Sequence, residues 1–246
     1  MKTPVFLAAL LALSAAPPLR AEPPGERFVW SQWRHSGGWD PYPGVHREVA
    51  AFLTSVTSVL CADERRELDL SDPALFSTPM LVLSGRQEPP PLQEEERRVL
   101  RDWLGAGGFL WIDDASGLKV SPFDRWVRST LRTALPDAEL RPLPQDHVLF
   151  KTFFLARRVG GRASVSGVVE GVDWGGRTAV VYTRDDVLGA LARDPLGRPV
   201  YELGEARRLD ARKLTLNIVM YALTGSYKAD AVHQPFILEK MRQGTP

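Results

Sequence analysis

The chain has 246 residues, 31 basic and 30 acidic side chains for a net charge of +1, and 44% hydrophobic residues, enough to bury the core of one large domain. Its even charge balance provides no electrostatic footprint for nucleic acid or an anionic membrane surface. A single cysteine, Cys61, rules out an intrachain disulfide, so packing has to hold the fold.

The chain opens MKTPVFLAALLALSAAPPLRAEPP. Lys2, the apolar run Val5 to Ala16 and the small residue Ala21 come in the order of a cleavable secretory signal. The run is only about a dozen residues, short of the roughly 20 that span a bilayer, and Pro17 and Pro18 close it. Residues 1–21 therefore read as a signal peptide that leaves no stable membrane anchor. Residues 22–226 read as one α/β domain and 227–246 as a tail. The destination expected is periplasmic or extracellular.

Arg27 to Trp33 is strand-like and runs into a turn-rich loop, Arg34 to Gly44. Val45, Val49, Phe52, Leu53, Val56 and Leu60 then share one helical face, with Cys61 closing it. A short strand is expected at Glu67 to Leu70. The block Met80 to Leu83 suits a buried parallel strand. Gln93 to Ala106 reads as a helix, acidic in its first turn and ended by Gly107. Phe109 to Ile112 is a further buried strand that delivers Asp113 and Asp114, and Pro122 to Leu135 is a third helix. Later come a strand near Glu139 to Leu143, two strand-like runs, Ser164 to Val169 and Arg177 to Tyr182, joined by an Asp-Trp-Gly-Gly turn, and a helix from Arg207 to Leu223. The order predicts a mostly parallel sheet covered by helices, with a C-terminal antiparallel extension.

In such a sheet, ligands bind where strands end at their carboxyl edge. The residues expected there are Arg34, His35, Trp39, Asp40, Ser84, Gly85, Arg86, Asp113, Asp114, Arg184, Asp185 and Asp186. Adjacent acids can divide general acid and base work if burial and like charge split their pKa values, or hold a divalent cation with His147 or His35. The competing reading makes them helix caps and loop anchors. Asp146 precedes His147 in a turn, a pairing that could orient an imidazole. Ser84 lacks the G-x-S-x-G elbow of a serine nucleophile, and the Gly-rich pieces lack the Walker and dinucleotide patterns. No cofactor is expected beyond that divalent metal.

Seven blocks in order, FVWSQWRHSGGWDP, FSTPMLVLSG, EEERRVLRDWLGAGGFLWIDD, FDRWVR, PLPQDHVLF, GRTAVVYTRDD and LNIVMYALTG, resemble the bacterial family known as domain of unknown function 4159 over Arg27 to Gly225. The resemblance implies a flavodoxin-like three-layer α/β/α sandwich similar to class I glutamine amidotransferases, with no assigned activity. Amidotransferases of that fold carry a nucleophilic Cys at a tight turn after a buried strand. Here Asp113 and Asp114 stand at that kind of turn and the only Cys falls in the predicted first helix, so thiol-based glutamine hydrolysis is not expected. The family's blocks map onto Arg34, Gly38, Trp39, Asp40, Ser84, Gly85, Asp113, Asp114, Asp146, His147 and Asp185. Two functions follow as expectations. One is an exported domain binding a polar, sugar-like or envelope ligand in the strand-end crevice, alone or with envelope protein partners. The other is a carboxylate- or metal-dependent hydrolase using Asp113 and His147.

Overall fold

The computed structural model describes the backbone of residues 27–243 and the side chains of residues 27–225. The leader reading, residues 1–21, lies outside them. Seven strands form one sheet: β1 (Ser31–Trp33), β2 (Arg66–Leu68), β3 (Met80–Gly85), β4 (Phe109–Asp114), β5 (Arg141–Pro142), β6 (Val169–Trp174) and β7 (Arg177–Thr183). Their order is β2-β1-β3-β4-β7-β6-β5. The first five are parallel, and β6 and β5 add antiparallel. The helices are α1 (Val45–Val56), α2 (Glu94–Gly105), α3 (Pro122–Ala134), α4 (Val187–Leu191) and α5 (Glu205–Gln243). This is a flavodoxin-like α/β/α sandwich, with the chain reversing direction across the sheet between β1 and β3. No helix among the described residues is long and apolar enough to cross a membrane.

Strand alternation divides the core into two layers, because successive side chains on a strand face opposite sides. Met80, Val82, Phe109, Trp111 and Val181 pack with α1, α4 and α5. Leu81, Leu83, Leu110, Ile112, Val180 and Tyr182 pack with α2 and α3. The central parallel strands β3, β4 and β7 carry continuous apolar runs because both faces are covered. Local signals start α2, α3 and α4 where expected. Gln93 and Glu96 form a capping box on α2, Ser121 caps α3 with Pro122 in its first turn, and Asp186 caps α4.

Some elements depart from the sequence reading. Helix α1 stops at Val56, and Cys61 lies beyond it, bridging Phe28 as an isolated parallel pair. The strand expected over Ser164 to Val169 starts only at Val169 and runs to Trp174. The segment before it is instead bonded to the start of α4, through Arg162 N–H to Asp186 O and Ala163 N–H to Asp185 O, both 2.9 Å. The final helix runs on through Gln243.

Candidate functional site at the carboxyl edge

The two acids that end β4 are both fully buried but belong to different layers. By alternation Asp113 follows Trp111 onto the α1/α4/α5 side, and Asp114 follows Ile112 onto the α2/α3 side. They do not form a carboxylate pair. Asp113 accepts from Thr183 Oγ1 at 2.7 Å and from the backbone N–H groups of Val187 at 3.0 Å and Leu188 at 2.9 Å. Those amides open α4, where the first N–H groups have no intrahelical partner, so Asp113 ties β4, β7 and α4 together. Burial, then the nearby charge of Asp186, pushes its pKa up to about 8, against the pull of these donors. Thr183 Oγ1 also reaches Ile112 O at 3.2 Å and accepts from Trp111 Nε1 at 3.1 Å. The hydroxyl can thus turn to the carbonyl and accept a hydrogen bond from a neutral, protonated Asp113.

Asp114 accepts from Ser116 N–H at 2.8 Å, while its Oδ2 is buried without a partner. Asp185 is an anchor. Its carboxylate gathers the N–H groups of Val165 (2.6 Å), Ser166 (3.1 Å) and Gly167 (2.9 Å) and the Ser166 hydroxyl (3.1 Å), organising the loop before β6. Asp186 is buried at φ 55°, the one described non-glycine residue in the left-handed region. It is held there by Tyr42 Oη at 2.7 Å, by Gly189 N–H at 3.0 Å and by an ion pair with Arg162.

At the β1/β3 reversal, where doubly wound sheets open their crevice, the protein's own side chains fill the α2/α3 side. His35 is buried, and its ring lies against Phe123 and Trp126. Its Nδ1 accepts from Gly37 N–H and its Nε2 bonds Ser84 O, each at 3.1 Å. This assigns the proton to Nε2, and burial holds the imidazole below its usual pKa. Gly85 lies so close to Phe123 that a Cβ would sit 2.6 Å from the ring. Ser84 faces the other layer and donates to Asp113 O at 3.0 Å. Arg34 pairs with Asp69 at 3.1 Å on the surface. Asp40 pairs with Arg65, whose guanidinium also covers the Trp39 ring at 5.1 Å.

His147 is at the opposite end of the sheet. Its Nε2 meets Thr178 Oγ1 at 3.1 Å near the start of β7, whereas Asp113 meets Thr183 at its end, about 16 Å further along the strand. The proposed Asp113 and His147 pairing does not form. Thr178 donates to Asp173 at 2.6 Å, so His147 Nε2 carries the proton, and Nδ1 accepts from Leu149 N–H at 3.2 Å. Asp146, beside it, is exposed. Cys61 also lies away from the carboxyl edge, beside Phe28, and burial raises its thiol pKa. No group of three or more His, Cys, Asp or Glu among the described residues is arranged to hold a metal ion.

What the carboxyl edge presents on the α4/α5 side is a cluster of Tyr42, Arg86, Arg162, Asp186 and Tyr201. Arg86 lies over the Tyr42 ring at 5.0 Å, and Arg162 over the Tyr201 ring at 4.8 Å. The two rings meet edge to face at 6.2 Å. Arg86 Nε and Arg162 Nη2 both donate to Ala115 O, at 3.2 and 3.3 Å.

The family model for the domain of unknown function DUF4159 matches residues 30–223. The chain belongs to the DUF4159 family. No curated protein matches it. The matched span of the DUF4159 domain includes every candidate residue above, and also Tyr42, Arg162 and Tyr201, which the motif reading passed over. A signal for Arg162 was available in Gly160-Gly161. A Cβ at Gly161 would lie 2.1 Å from Asp185 O, and one at Gly160 2.1 Å from Ala211 N, so only glycines let the backbone pass between Asp185 and α5 to deliver Arg162.

Proposed function

We propose that this DUF4159 domain is an exported, non-thiol binding domain that holds a polar, sugar-like or envelope-derived ligand at the carboxyl edge of its sheet. One observation carries the reading. The acids that could do chemistry there, Asp113 and Asp185, are committed to backbone amides of their own fold, while Arg86, Arg162, Tyr42 and Tyr201 gather polar groups at the same edge. An open groove of about 870 Å³ shares Tyr201 with that cluster, giving room for a small-molecule ligand. The hydrolase alternative loses its support with the separation of Asp113 from His147.

The strand order β2-β1-β3-β4-β7 supports kinship with the amidotransferase-like sandwiches. Asp113 and Asp114 standing where a thiol is expected, and Cys61 lying away from this edge, argue against thiol-based glutamine hydrolysis. Export is supported by the leader-like residues 1–21.

The test is a thermal-shift screen of the purified protein against acidic, neutral and amino sugars, run beside a hydrolase screen on chromogenic esters and glycosides. Saturable stabilisation without turnover is expected. Turnover abolished by Asp113→Asn in a protein that melts like the wild type would overturn the reading.

A further inference from the structure

Arg86 and Arg162 are an unusual pair because two guanidinium groups converge on one carbonyl, Ala115 O. Among the described residues, Asp186 is the one carboxylate whose charge acts on both of them. Asp186 is already shared between Arg162 and the Tyr42 hydroxyl. Arg162 further donates to Ser116 O at 3.2 Å. Arg86 is exposed and makes no salt bridge with a described residue; it donates to Ala115 O, lies over the Tyr42 ring and hydrogen-bonds its hydroxyl, and feels the charge of Asp186. Arg34 is matched by Asp69, Arg65 by Asp40 and Glu67, and Arg184 by Asp124, whereas Arg207, beside Gly160, donates to Ser164 Oγ. The cluster thus carries an excess positive charge, and two tyrosine rings fix the planes of the groups that bear it.

We propose that Arg86 and Arg162 bind an oxyanion, a carboxylate or phosphate carried by the polar ligand, with the rest of that ligand extending past Tyr201 into the adjoining groove. The inference rests on the reading of the carboxyl edge as a polar-ligand site and names the ligand's chemical class. Planar guanidinium forks suit paired oxygens of either anion. Rings behind the forks hold them in place before the ligand arrives, so little side-chain entropy is lost on binding.

The experiment is calorimetric titration of the purified protein with D-glucuronate, D-glucose 6-phosphate and D-glucose, at low and high salt, repeated on Arg86→Gln and Arg86→Lys. Binding by at least one of the anionic sugars is expected, roughly tenfold or more tighter than glucose, weakened by salt and reduced about tenfold in Arg86→Gln. Which of the two binds better separates a carboxylate from a phosphate ligand. Arg86→Lys keeps the charge without the fork and is expected to fall between. Glucose binding as tightly as the anions would overturn the oxyanion assignment while leaving a polar-ligand site in place. Binding of an anionic sugar undiminished in a folded Arg86→Gln protein would overturn the assignment to this cluster. No binding by any of the three at millimolar concentration would overturn both the inference and the reading beneath it.

Discussion

Replacing Asp113 should damage the fold and leave ligand binding alone. The carboxyl is fully buried and accepts from Thr183 Oγ1 and from the Val187 and Leu188 amides. In Asp113→Ala the threonine can turn to Ile112 O, but both amides at the start of α4 lose their acceptor in the dry interior. At ~1–3 kcal/mol for each orphaned buried group, the loss is expected near 3–5 kcal/mol. Asp113→Asn keeps the shape. Its Oδ1 can serve Leu188 and its Nδ2 can donate to Thr183, yet Nδ2 then opposes the Val187 amide, so one donor is orphaned for about 2 kcal/mol. For a domain of this size that is a fall of roughly 4–8 °C in Tm. Thermal and urea melts of the three proteins, with sugar titrations alongside, check the order wild type, Asn, Ala. Equal melting of wild type and Asn, with binding or turnover lost only in Asn, would refute this structural role and return Asp113 to the site.

Other outcomes follow from the same geometry. Stability should fall as pH rises from about 6.5 to 8 through Asp113, because the folded state, with its pKa near 8, keeps a proton that the unfolded chain releases near 3.8, whereas at lower pH the histidines oppose this loss. It should also fall as pH drops below about 6.5, since burial lowers the pKa of His35, His46 and His147 and the unfolded imidazoles then bind protons the folded ones refuse. Urea melts across pH, with Asp113→Asn flattening the first slope, test both. His147→Ala removes an acceptor for Leu149 N–H and the link to Thr178 and is expected to cost about 1 kcal/mol without changing ligand affinity; lost affinity at an unchanged Tm would contradict this. Gly161→Ala sets a Cβ 2.1 Å from Asp185 O and is expected to cost about 3 kcal/mol, read from urea unfolding, and to weaken binding by displacing Arg162.

Much of the architecture was legible because its causes are local. Apolar blocks bounded by Gly and Pro, helical spacing in α1 to α3 and first-turn residues such as Pro122 announce their elements directly. The β4 acids show the limit of that kind of reading. Asp113 and Asp114 look like a pair in sequence, yet the two-residue period of a strand sends them to opposite layers, and this could have been read from Trp111 and Ile112 just before them. His147 is different. Its distance from Asp113 follows from the register of β6 and β7 and the path of residues 144–151, which are long-range pairings with no local signal. Arg162 was hidden for the same reason. Its segment lacks strand periodicity because its backbone bonds go to Asp185 and Asp186, and only the paired glycines before it hint at the close approach.

The central claim, a polar-ligand site at the carboxyl edge, is tested most directly by mapping backbone amide shifts in an isotope-labelled sample titrated with the best binder of the sugar panel. Saturable shifts confined to the surroundings of Tyr42, Arg86, Ala115, Arg162 and Tyr201 are expected. Shifts centred instead on His147, Asp146 and Thr178, at the opposite end of the sheet, would contradict it.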